Sequence, residues 1–121
     1  MGLDMYAYAL TRTPERPVDF KADDGAEIHY WRKHPNLHGW MERLYRVKGG
    51  EDDVFNCVNL QLTREDLDAL EADIHAGNLP PTCGFFFGES DGTEQDDDLQ
   101  FVAKAREAIA AGLTVYYSSW W

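Results

Sequence analysis

Along this chain the spacing of apolar residues runs from two, to between three and four, and back to two, and that order limits the fold more than any other feature. Near the N-terminus Leu3, Met5, Ala7 and Ala9 fall on one side of an extended segment, with Asp4, Tyr6, Tyr8 and Leu10 on the other. The chain closes on Thr114-Val115-Tyr116-Tyr117-Ser118-Ser119-Trp120-Trp121, an aromatic strand. Between these ends Leu37, Trp40, Met41, Leu44 and Tyr45 recur at helical spacing, with Pro35 suited to the first turn and Gly49-Gly50 ending the pattern. A second helix is expected after Thr63, which forms a variant capping box with Asp66; its apolar stripe is Leu67, Leu70 and Ile74, and Gly77 stops it. A third runs to about Ala111, with Asp96, Asp97 and Asp98 favouring its N-terminal dipole and Gly112 at its end.

The remaining segments are read from their breakers. Residues 13–26, with Pro14, Pro17 and Asp23-Asp24-Gly25, are expected to form a surface loop. Val54 to Leu62 reads as a further strand, and Leu79-Pro80-Pro81 to Gly88 as a stiff turn leading into either a short buried strand or an ordered loop. Strands at both ends with helices between them give an α+β fold. The expectation is a small, mainly antiparallel sheet with about three helices packed on one face, the first and last strands central or adjacent, in a single compact domain over residues 1–121.

With 44% hydrophobic and 13% aromatic residues, 121 residues can bury one core without a metal or disulfide staple. Cys57 and Cys83 form no CxxC pair and are expected to be buried free thiols. The N-terminal Met-Gly-Leu-Asp-Met-Tyr lacks a basic region and an apolar run, and no stretch approaches the ~18 apolar residues of a membrane span, so no membrane and a cytoplasmic location are expected. The net charge is −11, divided as 8 Lys/Arg against 10 Asp/Glu in residues 1–60 and 3 against 12 in residues 61–121. Such a chain repels nucleic acid as a whole. Between Ile28 and Gly50, however, Arg32, Lys33, Arg43, Arg46 and Lys48 face only Glu42, a local basic island that suits a small anion.

The candidate binding residues cluster at that island. Tyr30-Trp31-Arg32-Lys33 sets flat rings beside two cations, the contacts a nucleotide-like ligand needs for its base and its phosphates, and His38 adds a hydrogen-bonding group. Phe85, Phe86 and Phe87, between glycines, would form an apolar wall. The same aromatics also suit a core, the three successive Phe above all. His34, His38 and Glu42, spaced by four, have the pattern of two imidazoles and a carboxylate on one metal, although Pro35 leaves His34 at a helix cap. No phosphate-binding glycine loop occurs, Ser118, Ser119 and Thr82 lack a nucleophile elbow, and no catalytic residue, metal or cofactor is assigned.

Tyr30-Trp31-Arg32-Lys33, Asn36-Leu37-His38-Gly39-Trp40 and the stretch from Leu79-Pro80-Pro81-Thr82 through Gly84-Phe85-Phe86-Phe87-Gly88 carry a resemblance. With the opening Met1 to Tyr6 and the aromatic C-terminus, they are similar to a family of small, largely uncharacterised proteins of bacteriophage and prophage genomes. The resemblance spans nearly the whole chain and implies a mobile-element origin and a free-standing domain, with no established reaction. Relatives commonly have Ala-Asn where this chain has His34-Pro35, so the resemblance implies no shared role for His34.

Two functions are therefore expected as alternatives. In the first, the protein sequesters a small anionic ligand without turnover, a nucleotide-derived host immune signal being the ligand that the resemblance implies. Arg32, Lys33 and His38 would meet its charge, and Tyr30, Trp31 and the Phe85–Phe87 wall its base. In the second, an acidic surface made of Glu65, Asp66, Asp73, Asp91 and Asp96–Asp98 mimics nucleic acid and inhibits a host defence complex. The terminal Trp120 and Trp121 are expected to mark a homo-oligomer interface or to fold back on the core.

Overall fold

A computed structural model describes residues 2–84 and 87–121, and the fold is α+β, as the alternation of periods requires. Strands β1 (Asp4–Leu10), β2 (Ala26–Arg32), β3 (Leu60–Leu62) and β4 (Thr114–Trp120) form one antiparallel sheet in the order β2-β1-β4-β3. The two terminal strands are thus adjacent and central. Helices α1 (Pro35–Val47), α2 (Arg64–Ala76) and α3 (Gln95–Ala110) join the sheet in a single core.

Strand register decides which side chains meet the helices. Met5 lies opposite Trp31 and Ser119, and Ala7 opposite His29 and Tyr117. Leu60 and Leu62 continue the same face opposite Tyr117 and Val115. These residues pack with Leu37, Met41 and Tyr45 of α1, Leu67, Leu70 and Ile74 of α2, and Phe101, Val102 and Ala105 of α3. The other face carries Tyr6, Tyr8, Tyr30, Tyr116, Ser118 and Trp120. Between Ala7 and Tyr8 the pairing with β2 slips, so that Ile28 is an extra residue in a β-bulge.

The helix ends follow the local sequence. Pro35 opens α1. Thr63 and Asp66 form a reciprocal capping box on α2, and Gly77 ends it at φ 69°, a left-handed conformation that glycine adopts without penalty. Gly39 serves a close approach, since a Cβ there would run into the Thr82 hydroxyl of the following loop.

Three local expectations are corrected. Of residues 54–62 only Leu60–Leu62 are strand, because Cys57 adopts φ 58° and breaks the extended path. The Asn56 side chain substitutes for the missing ladder, donating to the Trp121 carbonyl at 2.9 Å and accepting from its N–H at 3.0 Å. Cys57 and Cys83 are exposed, not buried, since both lie in irregular segments away from the packed faces. Residues 13–26 are irregular for most of their length, but they do more than cover the surface. Val18 bridges to Leu60, and the Pro17 carbonyl accepts from Gln61 N at 2.8 Å, which caps the otherwise open edge of β3. Phe20 from the same segment packs edge-on against Tyr116, with Leu10 beside it, in a second small cluster. No helix among the described residues is long and apolar enough to cross a membrane.

Candidate functional site

The sheet face turned away from the helices gathers more exposed aromatic surface than any other part of the fold described above. Tyr30 of β2 lies opposite Tyr6 of β1, which lies opposite Ser118 of β4. The next row toward the strand ends is Arg32, Asp4 and Trp120. In the other direction lie Glu27, Tyr8, Tyr116 and Gln61. Ring centroids step across the face at 5.3 Å from Tyr30 to Tyr6, 5.9 Å from Tyr6 to Tyr8 and 5.1 Å from Tyr8 to Tyr116. Such spacing lets each ring support its neighbour. Tyr116 is sealed under Phe20, whereas Tyr6 and Tyr8 are half-buried, Tyr30 is 43% exposed and Trp120 is 68% exposed.

Burial, hydrogen bonding and nearby carboxylates all raise the pKa of these phenols. Tyr30 Oη donates to Asp4 Oδ1 at 2.6 Å, and this bond, supported by burial, pushes the Tyr30 pKa up to about 12. Burial first, then the charges of Asp4 and Glu27, raises Tyr6; burial, then Glu27, raises Tyr8. The charged ends of the face differ in sign: Arg32 is exposed at one end and Glu27 at the other. Lys33 follows Arg32 at the end of β2 with φ 55°, its N–H donating to the Leu3 carbonyl at 2.8 Å and its methylenes lying against Gly88. The arrangement offers flat π surfaces with Arg32 and Asp4 side by side at one end.

The Tyr30-Trp31-Arg32-Lys33 run therefore divides between two faces. Trp31 is only 4% exposed, edge-on to Phe101 and tilted against His29 and Tyr117, with its indole N–H donating to Asp98. His38 is also internal, at 1% exposure, with Nδ1 2.7 Å from the Tyr117 hydroxyl. Burial lowers the His38 pKa to about 4, against an opposing backbone hydrogen bond at Phe55. The neutral ring then accepts from the Tyr117 O–H, whose own ionisation burial raises well above the ordinary phenol value. Phe87 closes this aromatic group, edge-on to His38 at 5.2 Å and to Trp121 at 5.0 Å. Phe85 and Phe86 lie outside the described residues.

His34, His38 and Glu42 do not converge. His34 caps α1 and bonds to Asp98 and Ser90, His38 bonds to Tyr117, and Glu42 lies toward solvent beside Arg46. Among the described residues no three His, Cys, Asp or Glu side chains gather as a metal site. Several of the acids proposed for a mimic are engaged within the fold. Asp66 completes the α2 capping box and pairs with Lys48, Asp73 accepts from Trp40 Nε1 at 2.8 Å, and Asp98 is buried. Asp97 contacts His29, Asp91 orders its own turn with Thr93, and Glu65 and Asp96 remain exposed.

Tyr6 and Tyr8 are not among the candidates drawn from sequence, and Trp120 is named there for an oligomer interface rather than for ligand binding. Their signal was the alternation itself, which sets Tyr6 and Tyr8 opposite the core side of β1, but only the pairing of β1 with β2 and β4 brings them beside Tyr30. No family model, curated protein or solved structure matches this chain.

Proposed function

We propose that this protein binds and holds a small, planar, anionic ligand on the open face of its sheet, without turnover. The observation that carries this reading is the run of neutral tyrosine rings from Tyr8 through Tyr6 to Tyr30, ending beside Arg32. A base stacked on Tyr30 would place its phosphates toward Arg32 and away from Glu27. Stacking contributes about 1–3 kcal/mol per base, and charge-assisted hydrogen bonds to a guanidinium add to it. Arg32 on a chain of net charge −11 favours a compact ligand over a polyanion, whose further phosphates would meet Asp4 and the acidic remainder. Trp120, across Asp4 from Arg32, supplies a further ring at the same end.

The phage-type resemblance directs the choice of ligand toward nucleotide-derived host immune signals, for which retention alone suffices. Titration calorimetry with cyclic nucleotides, cyclic dinucleotides and ADP-ribose derivatives tests the proposal. The expected result is saturable heat from at least one of them, with the ligand recovered unchanged. Absence of both heat and thermal shift across the panel would sink it.

A further inference from the structure

A second group of side chains lies on the helix side of the sheet, where α1, α3 and the loop before α3 meet. Asp98 is 2% exposed, and both its oxygens are engaged: Oδ1 accepts from Trp31 Nε1 at 3.1 Å, and Oδ2 lies 2.8 Å from His34 Nε2. A carboxylate at that distance assigns the proton to Nε2, leaving the Nδ1 lone pair directed at Ser90 Oγ, 2.7 Å away. The Ser90 oxygen also accepts from Asn36 N–H at 3.1 Å, in the first turn of α1, where the helix dipole favours negative charge. This is the order of groups that activates a serine: a nucleophile, a base, and a carboxylate that fixes the base's tautomer and orientation.

Ser90 and His34 border a cleft of about 140 Å³ that is also lined by Ile74, Leu79 and Glu94. Glu94 is the unusual member. Its Oε1 accepts from Asp91 and Gly92 N–H groups, but its Oε2 is buried with no hydrogen-bond partner among the described residues, 3.7 Å from His34 Nδ1. A desolvated carboxylate oxygen requires a donor, and Glu94 is among the residues that line the cleft.

We propose that Ser90 and His34 form a nucleophile and base, positioned by Asp98, for hydrolysis of small carboxylic esters that carry a cationic group near Glu94. Ser90 Oγ attacks the acyl carbon as its proton passes to His34 Nδ1. The carbon–oxygen bond to the alcohol then breaks, and the alcohol leaves with that proton. Water, deprotonated by His34, attacks the acyl carbon; the bond to Ser90 Oγ breaks as His34 returns that proton to Oγ, and the acid is released. The site lies across the sheet from the tyrosine face, so it stands independently of the binding proposal, and because it is built on His34 it is a property of this chain.

An alkyl fluorophosphonate tests the relay directly, because a bond from Ser90 Oγ to phosphorus forms as fluoride leaves. Intact-mass and peptide analysis of the full chain is expected to show one adduct, on Ser90, abolished in Ser90→Ala. In His34→Ala the labelling rate is expected to fall at least about a hundredfold and to recover in part with added imidazole. No adduct on folded protein, equal labelling in His34→Ala, or equal labelling of wild-type chain unfolded in urea would each overturn the proposal. For Glu94, acetylthiocholine turnover is compared with p-nitrophenyl acetate turnover. Glu94→Gln is expected to lower the cationic-to-neutral kcat/KM ratio about tenfold, and an unchanged ratio would remove Glu94 from the site.

Discussion

Tyr30 and Trp31 are neighbours in the chain yet serve opposite sides of the sheet: Tyr30 Oη donates to Asp4 on the open face, while the Trp31 indole donates to Asp98 beneath the helices. Substitution should separate the two roles. Trp31→Ala is expected to lose about 3–5 kcal/mol in urea denaturation, the usual cost of emptying a large aromatic from a core. Tyr30→Ala should cost under about 1 kcal/mol but weaken ligand binding by tenfold or more, through lost stacking. A Tyr30→Ala protein that binds as tightly as wild type would place the ligand elsewhere.

The buried His38 makes stability depend on pH in a defined direction. Its folded pKa, about 4, lies below the ordinary 6.5, so the unfolded chain takes up a proton over an interval in which the folded chain does not. The contribution is complete above about pH 6.5 and is lost as pH falls toward 4, and the shift corresponds to roughly 3 kcal/mol. Urea midpoints measured between pH 7 and 4 should fall accordingly. In His38→Gln, which keeps a polar group near Tyr117 but cannot titrate, that part of the fall should disappear.

These two tests also show where sequence reasoning reached and where it stopped. The helices were legible because local chemistry fixes their limits: Pro35 for α1, and Thr63, Asp66 and Gly77 for α2. The central pairing of β1 and β4 followed from strand patterns at the two ends of the described fold. Residues 54–59 were misread because an apolar-polar alternation does not reveal a left-handed Cys57 or an Asn56 side chain standing in for a strand. At the candidate face, Tyr30 and Arg32 could be named from their chemistry. Trp31 could not be assigned to the other side until residues 26–32 were known to be extended. The Ser90–His34–Asp98 group was out of reach, since its members lie 56 and 64 positions apart and meet only through tertiary packing.

Gly39 provides a test of how closely the loop after α2 is held to α1. In an open helix Gly→Ala gains about 1 kcal/mol. At Gly39 the new methyl would overlap the Thr82 hydroxyl, while Thr82 N–H is tied to Asn36 Oδ1 at 3.0 Å, so the loop cannot simply step aside. Gly39→Ala is therefore expected to destabilise by about 1–3 kcal/mol, and Thr82→Gly in the same chain should recover most of that loss. Thermal melts of the single and double variants measure both effects.

The two terminal tryptophans divide as sharply as Tyr30 and Trp31. Trp121 folds back, its indole donating to the Phe55 carbonyl at 2.9 Å and its ring set edge-on to Phe87 and His38. Trp120 projects from the open face at 68% exposure. Trp121→Ala should cost about 2–4 kcal/mol, because it removes packing and a hydrogen bond together and leaves the Phe55 carbonyl without that donor. Trp120→Ala should stay within about 0.5 kcal/mol of wild type. Large exposed aromatics commonly mark interfaces, so Trp120, unlike Trp121, is expected to be covered by a second copy of the chain. Light scattering at high micromolar concentration reads this out: a dimer of the wild type should fall to monomer mass in Trp120→Ala and persist in Trp121→Ala. A monomeric wild type would assign Trp120 to the ligand face alone, and calorimetry on the same variant should then show weaker binding with unchanged stability.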